Sequence, residues 1–228
     1  LVSANDAQKN HFIPKMVSGE WTGTMCLTEP HCGTDLGLLK TTAERDAAGM
    51  YRITGQKIFI SGGDHDLTEN IIHLVLARVE GDPEGVKGIS LFAVPKRFDE
   101  VRNSVSCGSI ESKMGIHGSP TCVMNFDGAI GYLVGERCRG LQSMFIMMNE
   151  LRLGCAIHGL SQSELAYQNA LQYAKERIQS KSAVNIGGPS VPIISHPDIR
   201  RMLMDVRSIN EAARLLVLEA ATLVDNGG

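Results

Sequence analysis

Residues 5–18 read as the end of a helix closed by Gly19, and the hydrophobic period then changes at Trp21 and again near Gly140, which limits the folds open to the chain. Between Trp21 and about Val134, short apolar runs alternate with turn residues. Ile71–Val79 and Ile89–Val94 are two of these runs, and Gly, Pro or Asp follows each closely. Gly81-Asp82-Pro83-Glu84-Gly85 and Ser61-Gly62-Gly63-Asp64 are loops between such runs. This half predicts an antiparallel β-sandwich or barrel. After Gly140 the apolar residues recur every three or four positions. Met144, Met148, Leu151 and Cys155 share one helical face; Leu153, Ala156, Leu160, Tyr167, Leu171 and Ala174 share a second. A helix with two apolar stripes is expected to lie buried among several others. A loop is predicted over 180–194, where Gly187-Gly188-Pro189 falls. Ser195-His196-Pro197-Asp198 then starts another helix, with Pro early and Asp in the first turn. Apolar residues from Ile199 to Leu223 keep its period, and Gly227-Gly228 would stop it. Two such helices cannot cover each other's apolar faces, so more helices are expected from a longer chain or another subunit. A start at Leu1, without an initiator Met or a leader pattern, adds to that expectation. The fold class predicted is therefore α+β.

Composition removes several functions. A net charge of −3 and 5% aromatic residues leave neither a basic surface nor a stacking platform for nucleic acid. No apolar run approaches the ~20 residues of a membrane span. Six cysteines at irregular spacing, with no C-x-x-C pair, predict reduced, mostly buried thiols and a cytoplasmic protein. The seven histidines are scattered, so no metal site is expected. There is no G-x-G-x-x-G after a strand, no Walker-type loop and no G-x-S-x-G.

The segment that carries chemistry is Met25-Cys26-Leu27-Thr28-Glu29-Pro30-His31-Cys32-Gly33-Thr34-Asp35-Leu36-Gly37. An apolar strand runs into Thr-Glu-Pro and then a Gly-Thr-Asp turn. Hydroxyls and backbone N–H groups at a strand end suit a polar planar ligand, although the same residues build ordinary turns. This stretch resembles the Thr-Glu-Pro-x-x-Gly-Ser/Thr-Asp signature of the acyl-CoA dehydrogenases. The resemblance continues through Thr54-Gly55-Gln56-Lys57-Ile58-Phe59-Ile60-Ser61-Gly62 and Lys113-Met114-Gly115-Ile116-His117-Gly118-Ser119. It ends in a helix running from Asn149-Glu150-Leu151-Arg152 to Tyr173-Ala174-Lys175-Glu176-Arg177. It covers nearly the whole chain in order. Arg177-Ile178-Gln179 and His196-Pro197-Asp198-Ile199-Arg200-Arg201-Met202-Leu203 look most like the branch that includes the 3-methylmercaptopropionyl-CoA dehydrogenases. Cys32, Leu38 and Ser180 depart from the common pattern.

The resemblance implies three parts: the end of an N-terminal helical domain over 1–19, the middle β-domain over 20–138, and the first part of a C-terminal helical domain over 139–228. It implies FAD as cofactor, held between the β-domain and the later helices. The backbone of Leu27 and Thr28, with the Thr28 hydroxyl, would bond the flavin ring edge. Phe59 would lie against the ring system, and Ser61 would donate near N5. Arg177 and Gln179 would reach the flavin pyrophosphate of a neighbouring subunit. Thr34, Asn149 and Arg152 would face the acyl-CoA substrate. The implied reaction removes an α-proton while a β-hydride passes to N5, and an electron-transfer flavoprotein or similar acceptor then takes the electrons. The resemblance also implies a homo-oligomer. The carboxylate base would lie on the order of 100 residues beyond the Arg152 helix, outside this segment. Where a minority of members carry the base beside that Arg, this chain has Leu151; Glu150 points about 100° away around the helix. No catalytic residue is therefore assigned within 1–228. The reading from a different class is a non-enzymatic β-sandwich binding module that keeps only the scaffold.

Overall fold

The computed structural model describes residues 3–98, 101–185 and 187–227. Its residues divide into two compact units, Leu1–Met147 and Met148–Gly228. The first opens with helix α1 (Asp6–Ser18). Asn5 and Gln8 cap its start reciprocally, and Gly19, at φ 83°, ends it in the left-handed conformation. The strands that follow are β1 (Trp21–Cys26), β2 (Thr42–Arg45), β3 (Tyr51–Ser61), β4 (Asn70–Val79), β5 (Ile89–Pro95), β6 (Arg97–Phe98), β7 (Val101–Arg102), β8 (Val105–Ile110) and β9 (Thr121–Val134).

Seven of these strands form one sheet, and five of them close a ring: β4 pairs β5, β5 pairs β9, β9 pairs β3, β3 pairs β2, and β2 returns to β4. Most pairings are antiparallel, as the run-and-turn pattern predicts. Two are parallel: β1 lies beside β4 over Asn70–Val75, and β2 beside the same edge at Arg78 and Val79. The chain leaves that edge after Cys26 and returns to it in the same direction at Thr42, so one edge of β4 serves both strands. Sequence periodicity has no signal for that arrangement, because it records which face a residue takes and not which strand lies alongside.

Strands β4 and β5 are apolar at almost every position and buried along nearly their full length. Inside the ring, Ile53, Val75, Phe92, Val94 and Phe126 belong to the central cluster. On the other side α1 covers part of the sheet: Phe12, 1% exposed, packs against Trp21 and Tyr132. Within β4, His73 is fully buried. Its Nδ1 lies 2.8 Å from the Thr24 hydroxyl, and its Nε2 has no partner. Burial pushes this imidazole down to about 3. The unfolded chain therefore takes up a proton near pH ~6.5 that the folded chain refuses. Stability from the neutral ring is intact above that pH. It declines as pH falls toward the folded value, at up to about 1.4 kcal/mol per pH unit. Denaturant midpoints measured from pH 7 to pH 4 are expected to show this slope in the natural protein and a shallower one in His73→Gln.

Helix α2 (Gly140–Glu176) starts in the first unit and runs into the second. Its first residue must be small: a Cβ on Gly140 would lie 2.4 Å from the Ser90 carbonyl carbon. After α2 the predicted loop proves to be a short hairpin, β10 (Ile178–Lys181) with β11 (Ser190–Pro192). The pattern hid it because Ser180 takes a left-handed φ of 62° and the pairing register shifts there. Helix α3 (Pro197–Asp225) has His196 at its N-cap, without a side-chain cap bond, and Pro197 at its first position. Gly227, at φ 75°, follows its end, while Gly228 lies outside the described residues. Within the second unit, buried Asn210 of α3 accepts from the Ser163 hydroxyl of α2 at 2.5 Å and donates to Glu164 at 3.2 Å. Ile157, Leu165, Ile209, Leu216 and Leu218 stay exposed in that unit.

Candidate functional site

Strand β3 alternates inward Tyr51 and Ile53 with outward Arg52 and Thr54, and the same parity points Lys57 into the barrel. Opposite Met124 and Cys122 of β9, the register slips between Lys57 and Ile60, which inserts one extra residue. Phe59 sits in that bulge at φ 60° and is 60% exposed. A left-handed, solvent-facing phenylalanine in a strand is strained and unshielded, and such strain is found where surrounding structure enforces it. Here the enforcement is visible. Ile58 N–H donates to the Thr28 carbonyl at 2.9 Å. The Lys57 ammonium donates to the Leu27 carbonyl at 3.0 Å and to Glu29 Oε1 at 2.8 Å.

Glu29 is the other half of this lock. Besides Lys57 it accepts from Lys40 N–H at 2.7 Å, Thr41 N–H at 3.0 Å and the Thr41 hydroxyl at 2.6 Å. Its side chain is 2% exposed and that of Lys57 is 0% exposed, so the charges are desolvated together. Burial alone would raise the Glu29 carboxyl; the Lys57 charge and the bonds from Lys57, the Thr41 hydroxyl and Lys40 N–H hold it below its ordinary value. Burial also pushes the Lys57 ammonium below the usual lysine value, with Glu29 opposing the shift. A buried pair with every oxygen occupied holds geometry in place, because losing either partner strands a charge. The sequence signal was present: a lysine at an inward position of a strand needs a counter-charge, and Glu29 ends the segment after β1. In the sequence both residues stand out only as members of the motif.

Around this lock lie the residues taken from the signature. Among the described residues, the Thr28 N–H and the hydroxyls of Thr28 and Ser61 make no hydrogen bond to the protein. Phe59 and Ser61 are two apart on β3 and both exposed. The turn after Glu29 folds back, so that a Cβ on Gly33 would lie 3.5 Å from Thr28 Cγ2; Thr34, the next residue, is exposed. Leu27, Thr28 and Phe59 are thus tied to one another through Lys57 and Ile58. The same turn brings Glu29, His31 and Cys32 ligand atoms within 4.8 Å of one another. This grouping was not foreseen from the scattered histidines. Both Glu29 oxygens are already committed to Lys57, Thr41 and Lys40, and His31 Nε2 lies 3.0 Å from the Leu38 carbonyl, so the residues serve the turn. All six cysteines are free; three are buried, two partly buried and Cys155 exposed. Burial lifts the Cys26 thiol to about 12, which leaves it unreactive.

In the second unit, Arg152 donates to Asn149 Oδ1 at 3.1 Å, one helical turn away, and both are exposed. Arg177 donates to Gln179 Oε1 at 2.9 Å, and its carbonyl accepts from Ile193 N–H at 2.8 Å. His196 Nε2 donates to the Gln179 carbonyl at 2.7 Å, so the hairpin holds both side chains together at the surface. Two concavities lie away from all these residues. One of about 610 Å³ in the first unit is lined by Trp21, Asn70, Lys96, Phe98 and Tyr132 among others. A groove of about 580 Å³ between α2 and α3 is lined mainly by Ile157, Leu160, Leu165, Val217 and Leu218. No helix among the described residues is long and apolar enough to cross a membrane.

Residues 24–129 match the family model "Acyl-CoA dehydrogenase, middle domain", and residues 139–228 match "Acyl-CoA dehydrogenase, C-terminal domain". The 3-methylmercaptopropionyl-CoA dehydrogenase of Ruegeria pomeroyi is 47% identical over 98% of this chain, which spans 39% of that relative. The three-dimensional structure of butyryl-CoA dehydrogenase from Megasphaera elsdenii matches with a TM-score of 0.82 and 30% identity, over 98% of this chain and 54% of that one. The Bacillus anthracis acyl-CoA dehydrogenase complexed with FAD matches with a TM-score of 0.78 and 27% identity, over 95% of this chain and 34% of that one. The chain thus spans from about a third to just over half of these proteins. Matches to both domain models, in order and over most of the sequence, place the chain in the acyl-CoA dehydrogenase family.

Proposed function

We propose that this chain is the flavin-holding portion of an FAD-dependent acyl-CoA dehydrogenase that introduces a double bond beside the thioester carbonyl. The observation that carries the proposal is the Phe59 bulge tied to Thr28. An exposed aromatic plate beside a free N–H and two free hydroxyls is a donor-edged apolar surface, and a flat ring with polar atoms along one edge fits it. When bound, FAD supplies a two-electron acceptor at N5. Thr28 then holds the ring edge through its N–H and hydroxyl, with the neighbouring Leu27 backbone beside it. Phe59 packs against the ring and keeps water from it, and Ser61 donates at the hydride-accepting edge. In the second unit, Arg177, with Gln179 fixing its guanidinium, offers a fork for pyrophosphate. Asn149 and Arg152 form a polar pair for the CoA part of the substrate, and Thr34 sits toward the thioester arm.

In this reading residues 1–19 end a helical domain, 20–138 form the middle domain, and 139–228 begin the C-terminal helices. The α-proton goes to a carboxylate outside the segment. An electron-transferring flavoprotein is the expected acceptor, since the reduced protein must pass its electrons on before another turnover. The exposed apolar residues of α2 and α3 support self-association into a homo-oligomer. Reduced cysteines support a cytoplasmic location.

The test is the visible spectrum of the natural full-length protein. It should carry stoichiometric flavin that bleaches when a suitable acyl-CoA, such as 3-methylmercaptopropionyl-CoA or butyryl-CoA, is added. A colourless protein that takes up no added FAD would sink the proposal. In the same assay, Glu150→Gln should fall far short of the ~10²–10⁴-fold loss that follows removal of a general base.

A further inference from the structure

The Leu27 carbonyl and the Thr28 N–H belong to one peptide group. The carbonyl oxygen accepts from the Lys57 ammonium at 3.0 Å, while the N–H has no acceptor among the described residues. A cation on a peptide oxygen draws electron density from the nitrogen and makes its N–H a stronger donor, and the low-dielectric interior magnifies the effect. The counter-charge does not cancel this at the peptide. Glu29 spreads its negative charge over Lys40 N–H, Thr41 N–H and the Thr41 hydroxyl, and Lys57 stands between it and Leu27. We propose that Lys57 tunes the reduction potential of the flavin by polarising the Leu27–Thr28 peptide, so that Thr28 N–H meets the ring edge as a strengthened donor. This inference rests on the flavin reading above and adds a residue that touches neither cofactor nor substrate. A donor made stronger favours the electron-rich state of the ring over the oxidised one. Lys57 is thus a positioning residue acting through Thr28, and the buried pair keeps the ammonium on the Leu27 oxygen.

The experiment is a spectroelectrochemical titration of the natural full-length protein and two variants. Lys57→Met combined with Glu29→Gln removes both charges at once and strands neither. Its binding ratio for reduced over oxidised flavin should fall by about tenfold, a midpoint lowered by about 30 mV for two electrons. Lys57→Arg alters the packing but keeps the cation, and should restore most of that shift. A role in packing alone predicts no such recovery, with arginine as disruptive as the neutral pair. If the neutral pair variant fails to retain flavin, Lys57→Gln combined with Glu29→Gln is the uncharged comparison in the same titration. Flavin-loaded variants that all keep the natural midpoint would overturn the inference and leave the flavin reading standing. Absence of flavin from the natural protein would instead overturn the reading beneath it.

Discussion

Glu29→Leu should be among the most damaging single changes to the β-barrel, lowering its stability by about 3–5 kcal/mol. The substitution leaves a fully buried ammonium with the Leu27 carbonyl as its one remaining partner among the described residues, and it orphans Lys40 N–H and both donors of Thr41. Lys57→Met should cost less, because Glu29 keeps three donors. Glu29→Leu/Lys57→Met should cost less than the sum of the two, since each single variant includes the penalty of a stranded group. Unfolding midpoints of the natural protein and the three variants form the cycle. Strictly additive losses would show that the two side chains do not act as a pair. The pH dependence has a definite sign. The Glu29 carboxyl lies below its unfolded value of about 4.3, so its contribution is intact above that pH and is lost as pH falls through the folded value.

Ser61→Ala should reduce the rate of flavin reduction by acyl-CoA by about 10²–10³-fold, with a much smaller change in KM. That magnitude is what removal of one donor at a developing charge typically produces. Ser61 stands at the exposed end of β3, and its hydroxyl is free, so its deletion removes a donor without breaking a structural bond. The unfolding midpoint should therefore stay near that of the natural protein, which separates this variant from the Glu29 series. Stopped-flow bleaching under anaerobic conditions is the measurement. A rate within a few-fold of the natural one would remove Ser61 from the reacting edge.

Much of this fold was legible because its signals are local. The turn residues between Trp21 and Val134 delimited β4 and β5, and the three-to-four spacing after Gly140 delimited α2 and α3. What escaped was nonlocal or conformational. The parallel placement of β1 and β2 on β4 depends on where a loop returns. The β10–β11 hairpin depends on Ser180 adopting a left-handed conformation that serine rarely takes. At the site, Thr28, Phe59 and Ser61 were reached through resemblance, since a phenylalanine three residues before Gly62 is ordinary core by pattern alone. Lys57 and Glu29 could have been reached by physics, because an inward-facing charge in a strand cannot stand alone.

One feature of the ring bears on how such proteins diversify. Cys26 leaves β4 beside Val75, and Thr42 rejoins it beside Arg78, so residues 27–41 depart from and return to nearly the same point on one strand. Both ends of that excursion are anchored by the sheet, and Glu29 fastens its base to Lys57, Lys40 and Thr41. Beyond the clasp Gly33, Thr34 and Asp35 are exposed, while Leu36–Leu38 form a 3-10 turn whose Gly37 carbonyl accepts from Arg78 at 3.2 Å, so side chains can change at 33–35 while the ends stay fastened. If Thr34 faces the substrate as proposed above, natural variation or engineering can reshape that rim by substitution without disturbing the barrel that carries it.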